Sequence, residues 1–152
     1  MFAGSLKVGA LAGVATTAAV AALSRRETGS ASAGLNAVSH IAWGDSAARQ
    51  REPSLKYTLT GLALNAAAVT GWALVQDLLF GRRRRGVARS VAAGTATAAL
   101  AYVVDYHMVP ERFTPGFEKR LSGPALAAVY GVLAASLAAG AALQQRDRHN
   151  AD

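Results

Sequence analysis

The chain of 152 residues contains no cysteine. A disulfide-stapled scaffold, a Cys-based zinc site and thiol-redox chemistry are excluded at once. Charge is scarce too: 16% of residues are Asp, Glu, Lys or Arg, against about 25% in an ordinary soluble domain. A disordered acidic or basic tail does not fit either, because 52% of the residues are hydrophobic. The apolar runs are poor in large side chains, with Ala, Gly, Ser and Thr dominant. These shortages point away from a water-soluble enzyme and toward a small integral membrane protein of one domain, residues 1–152.

What is present is apolar sequence in long runs. A membrane-crossing helix needs about 20 mostly apolar residues. Four stretches meet or approach this, at about 6–24, 57–80, 87–108 and 123–143. The boundaries carry helix punctuation. Pro53-Ser54 precedes the second run, where Ser54 is placed to cap it. Gly81 and Gly86 bracket an arginine turn. Pro110 and Pro115 stop the third run. Ser122-Gly123-Pro124 opens the fourth, with proline in the tolerated first turn. A charged tail over 144–152 follows. The fold class expected is all-α: an integral membrane bundle of four transmembrane helices.

Residues 1–33 also fit a cleaved signal peptide, with Lys7, an apolar core and Ala31-Ser32-Ala33 as a small-residue cleavage site. Arg25 and Arg26 follow the core directly, which disfavours cleavage, so a retained helix is expected. The segment of about 34–48 is too short and too polar to span. Leu35, Val38 and Ala42 recur at helical spacing there, and an interfacial or partly re-entrant helix is expected, with Trp43 at the headgroup level.

Small residues recur four apart in every run: Gly9 and Gly13; Ala63, Ala67 and Gly71; Ser90, Gly94 and Ala98; Ser136 and Gly140. Such faces let helix backbones approach closely in lipid. They predict a compact bundle and leave room for a homo-oligomer or a membrane-protein partner.

The net charge of +7 would suggest nucleic acid in a soluble protein. Here the basic residues flank apolar runs and no nucleic-acid motif accompanies them, so the partner expected is the bilayer and not nucleic acid. With four helices both termini share a side. Lys and Arg divide eight and eight between the two sides. The densest cluster, Arg82, Arg83, Arg84 and Arg85, lies in the shortest turn, which places it and both termini in the cytoplasm, against anionic lipid headgroups.

Few residues are equipped for chemistry. Asp77 and Asp105 are the carboxylates within the spans, where ionisable groups are rare and default to a functional hypothesis. Asp77 is close to Arg82–Arg85, an interfacial ion pair being the plainer reading. Asp105 continues the Gly94, Ala98, Tyr102 face and so should point into the bundle, with His107 two residues on. Topology places His40, Asp45, Glu111 and Glu118 on the same side. His40, Asp105 and His107 are therefore candidates for a proton or ion path, a metal site or an acid–base pair. The plainer alternative is a network in which Asp105 pairs with Arg112, Lys119 or Arg120 and His40 bonds a loop carbonyl. Asn65, Trp72 and Gln76 form a stripe on the second helix that either joins helices or lines a polar path. The 109–120 loop, with Phe113 and Phe117 spaced to dip into the interface, reads as a surface turn, a docking loop or a lid. HExxH, phosphate-loop and serine-hydrolase motifs are absent, and no cofactor is expected.

The segments Asn36-Ala-Val-Ser-His-Ile-Ala-Trp-Gly44 and Asp105-Tyr-His-Met-Val-Pro-Glu-Arg-Phe-Thr-Pro-Gly-Phe-Glu118 resemble those of small, uncharacterised four-helix proteins of the bacterial inner membrane. That resemblance implies the location and carries over no activity and no site residue. Three readings stand: a structural or accessory membrane component, a small transporter or proton/ion conduit using Asp105 and His107, and a membrane enzyme or metal site at His40, Asp105 and His107.

Overall fold

The computed structural model describes residues 2–81 and 86–149. Among these the chain is helical throughout, with no strand. Four long segments are long and apolar enough to cross a membrane: Ala3–Thr28, Tyr57–Phe80, Val87–Met108 and Gly123–Arg146. They belong to helices α1 (Phe2–Thr28), α5 (Tyr57–Phe80), α6 (Val87–Val103, continued by a π turn over Val104–Met108) and α7 (Gly123–His149). Between α1 and α5 lie three short helices, α2 (Ala33–Val38), α3 (His40–Trp43) and α4 (Asp45–Ala48). The Arg82–Arg85 cluster and residues 150–152 lie outside the described residues.

The helices begin and end for local reasons. At α1 the chain turns at Gly29, whose φ of +78° suits a left-handed C-terminal residue, and its N–H bonds the Arg25 carbonyl. Ser54 does cap the next long helix: its Oγ accepts the Tyr57 N–H at 2.9 Å, while the Thr58 hydroxyl accepts the Ser54 N–H. The Glu27 carboxylate at the end of α1 accepts the Ser122 N–H, and so serves the start of α7. The tail expected to be charged and separate continues as α7 through His149. There Gln145 accepts the Gly86 N–H and donates to Ser90, capping α6 from its neighbour.

Packing runs α5–α1–α7–α6 around the bundle, and α5 touches α6 far less than the other neighbours touch each other. The small-residue faces explain the closeness on the tight sides. A Cβ at Gly94 would fall 2.5 Å from the Ala134 carbonyl oxygen, and one at Gly9 would fall 2.8 Å from Thr70 Cα. On α5 the expectation is corrected. Ala63 and Ala67 are exposed and Gly71 meets nothing within 4 Å. The face turned inward is Gly61, Asn65, Val69, Ala73 and Gln76. Spacing alone cannot tell these two stripes apart in an Ala-rich helix, and the polar pair at Asn65 and Gln76 decides which one packs.

The first half of the segment expected to be interfacial or partly re-entrant lies inside the bundle. Residues 32–40 are all buried, and α2 wedges against α1 and α5 inside one end of the bundle. Gly61 makes this possible, since a Cβ there would stand 1.9 Å from the Leu35 carbonyl oxygen. Asn36, fully buried, holds the wedge in place. Its Nδ2 donates to the Gln50 and Glu52 carbonyls, and its Oδ1 accepts the Thr58 hydroxyl at 2.6 Å. Two apolar clusters result. Val8, Ala12, Val69, Ala73, Leu133 and Leu137 pack along the middle. Val20, Leu35, Val38, Phe117, Leu126 and Val129 pack around the wedge. Phe117 is thus a core residue and not an interfacial one; Phe113 alone of the two is exposed.

Candidate functional site

The π turn that ends α6 sets the site. The Val109 N–H reaches the Val104 carbonyl, five residues back, at 3.0 Å. Pro110 then forbids further helix, and Val109 before it is extended. The widened turn presents Asp105 toward α7, where the Tyr130 hydroxyl donates to its Oδ2 at 2.6 Å. Tyr102 and Tyr106 pack on Tyr130 with ring centroids 5.4 and 6.0 Å away, fixing the phenol that holds the carboxylate.

Beside this pair lies a cavity of about 300 Å³, bounded by α1, α5, α7, the π turn, α2–α3 and the 109–120 loop. Buried Val69, Leu133 and Phe117 line it together with Pro115 of the loop. Ala67 and Ala68 of α5 and Phe113 of the loop, all exposed, also line it, so it opens to the surface beside α5 and at the loop. Asp105 is the one charged residue among those lining it.

The expected cluster is dispersed. His40 is buried at 1% exposure under the 109–120 loop. Its Nδ1 lies 2.8 Å from the Ala37 carbonyl oxygen and its Nε2 3.4 Å from that of Glu111. The shorter contact assigns the proton to Nδ1. That bond is to a carbonyl of α2 and not to one of the 109–120 loop. His107 is exposed, edge-on to Tyr102 at 5.7 Å. Among the described residues no three His, Asp or Glu side chains converge as a metal site would require.

Of the expected cationic partners of Asp105, Arg112 is exposed, and Lys119 and Arg120 are engaged elsewhere. Lys119 lies 3.4 Å from Asp45 and 3.6 Å from Glu111. Arg120 donates to the Ala48 carbonyl at 2.6 Å. Both clamp the 109–120 loop onto α4. Gly116 seats the same loop on the α2–α3 junction, with φ +82° and room for no Cβ: one would stand 2.5 Å from the Ala37 carbonyl oxygen.

The other polar residues of the long helices tie helices together. Ser5 donates to Asp77, which is buried. Asn65 donates to Thr16 and Thr17 across the α1–α5 contact. Gln76 donates to the Leu137 carbonyl of α7 at 3.2 Å. Trp43 is half-exposed; its indole N–H donates to Thr60, and Lys56 sits 4.7 Å over its ring. Sequence reasoning missed Asn36 and Tyr130. An Asn between buried apolar positions was the available signal for the first; Tyr130 lay unremarked in an apolar run.

No protein-family model, no curated protein and no solved structure matches this chain.

Proposed function

We propose that this protein is an integral component of a bacterial inner membrane, acting as a structural or accessory body and not as an enzyme. One observation carries this reading: Asp77, Asn65, Gln76 and Asp105 are each hydrogen-bonded to a neighbouring helix. Interhelical bonds of this kind give a rigid bundle, whereas a conduit needs polar groups free to take and release their cargo. In this reading the termini and the Arg82–Arg85 turn are cytoplasmic, the turn meets anionic headgroups, and the exposed Ala63–Ala67–Gly71 face of α5 is available to a second copy or a membrane-protein partner.

The cysteine-free sequence makes the first test direct. Single cysteines at exposed Glu52 and Arg146 are expected to react with a membrane-impermeant maleimide from opposite sides. Labelling of both from one side overturns the four-span topology. A second reading, a small transporter or proton/ion conduit through Asp105 and His107, draws support from the cavity that Asp105 lines. Proteoliposomes decide between the two. Proton and cation leak equal to that of empty vesicles supports the accessory role. A flux abolished by Asp105→Asn, with the melting temperature unchanged, refutes it.

A further inference from the structure

We propose that the cavity beside Asp105 is a binding site for a small lipophilic organic cation, an amine or quaternary ammonium with an apolar body. The inference rests on the cavity and not on the accessory role, and it stands whether or not the cation is moved across the membrane.

Three observations lead there. The first is charge. Asp105 is the one charged residue on an otherwise mostly apolar wall, and among the described residues no Lys or Arg pairs with it. Of the basic residues on the adjoining loop, Arg112 is exposed and forms no ion pair with Asp105, and Lys119 and Arg120 are held by Asp45, Glu111 and the Ala48 carbonyl. A carboxylate in surroundings of low polarity favours a positive counter-charge, and the protein supplies a phenol instead. The second is aromatic lining. Trp72, Tyr130, Phe113 and Phe117 share the wall with Asp105. Aromatic faces attract ammonium groups through their quadrupoles, most strongly where water is excluded. Trp72 and Tyr130 each lie on a long helix and are held by its packing. The third is size and access. A cavity of about 150 Å³ holds benzene, so about 300 Å³ suits a molecule of about a dozen heavy atoms. The mouth at Ala67 and Ala68 opens on the outer surface of α5. In a bilayer a lipophilic cation reaches it from the hydrocarbon, its apolar body toward Val69 and Leu133 and its charge toward Asp105.

The test compares two molecules of the same shape. Benzyltrimethylammonium and neopentylbenzene differ in having nitrogen with a positive charge or carbon at the branch point. Full-length protein in lipid nanodiscs is equilibrated with each radiolabelled probe, and uptake by empty nanodiscs is subtracted. Saturable binding of about one cation per chain is expected, at least about tenfold tighter than the hydrocarbon. Asp105→Asn keeps an oxygen for the Tyr130 hydroxyl and is expected to weaken cation binding at least about tenfold while leaving the hydrocarbon unaffected. Ala68→Phe, at the exposed rim, is expected to block both probes without loss of folding. Should Asp105→Asn fail to fold, the two-probe comparison on the unaltered chain together with Ala68→Phe decides. The proposal is overturned if neither probe binds saturably, if the hydrocarbon binds as tightly as the cation, if a folded Asp105→Asn protein keeps its cation affinity, or if binding survives Ala68→Phe.

Discussion

Substituting Gly116 by alanine probes the contact that seats the 109–120 loop. Two separate penalties are expected. The backbone there has φ +82° and ψ −4°, in the left-handed region, which a residue with a Cβ enters at about 1–2 kcal/mol. The new methyl would also stand 2.5 Å from the Ala37 carbonyl oxygen and 2.8 Å from His40 Nδ1. Backbone cannot swing aside as a long side chain can, so loop and wedge must separate, at about 1–3 kcal/mol. Gly116→Ala should destabilise the protein by about 2–5 kcal/mol in all.

Two other glycines separate the terms. Gly29 has φ +78°, but a Cβ there meets only an Arg51 nitrogen at 3.5 Å, so Gly29→Ala should carry the conformational penalty alone. Gly123 opens α7 with nothing within 4 Å, and Gly123→Ala should be neutral or slightly stabilising. Reversible unfolding in detergent micelles, followed by circular dichroism, measures all three. If Gly116→Ala comes within about 0.5 kcal/mol of Gly29→Ala, the loop does not press on the wedge and the reasoning fails.

Asn36→Ala removes both donors to the Gln50 and Glu52 carbonyls and the acceptor of Thr58; a loss of about 2–4 kcal/mol is expected, with faster proteolysis after Arg49 and Arg51 in detergent, and unchanged cleavage kinetics would count against the staple. Gly94→Leu should force α6 from α7 and lower stability by about 1–3 kcal/mol, read in the same unfolding assay. Gly71→Leu, on the open face of α5, should be neutral or stabilising by up to about 1 kcal/mol from helix propensity; equal losses in both variants would mean that the packed faces are misassigned.

How much of this was legible depends on which physical signal each feature carries. The long helices declare themselves through run length, and the Tyr57 and Gly123 boundaries through Ser54 and the Ser122-Gly123-Pro124 start. The buried position of α2 was not legible, because composition reports a segment's polarity and not whether another helix covers it. Ser32, Asn36, Ser39 and His40 look interfacial when read singly. Buried, Ser32 and Asn36 bond partners remote in sequence, at Arg51, Gln50, Glu52 and Thr58, while Ser39 and His40 bond carbonyls three residues back. The packed face of α5 failed for a different reason. Ala63-Ala67-Gly71 and Gly61-Asn65-Val69 have the same spacing, and periodicity gives a stripe without saying which stripe faces in. For the site, Asp105 was found by the cost of an acid in a span, while Tyr130, one phenol in an apolar run, had no sequence signal before the fold placed it against that acid.

The same comparison explains why Asp105 is left with a phenol. Lys119 and Arg120 lie on the very loop that closes the cavity. Each could have served the carboxylate or the loop. The fold uses them for the loop, where Asp45 and Glu111 are already solvated and the Ala48 carbonyl ends a helix. An ion pair at such an exposed position is worth little by itself. Its consequence is positional: Phe113, Pro115 and Phe117 are held as one wall of the cavity, with the acid on another. A loop that first reads as a surface turn is then the element that makes the cavity, and the exposed ion pairs matter through the apolar residues they hold in place.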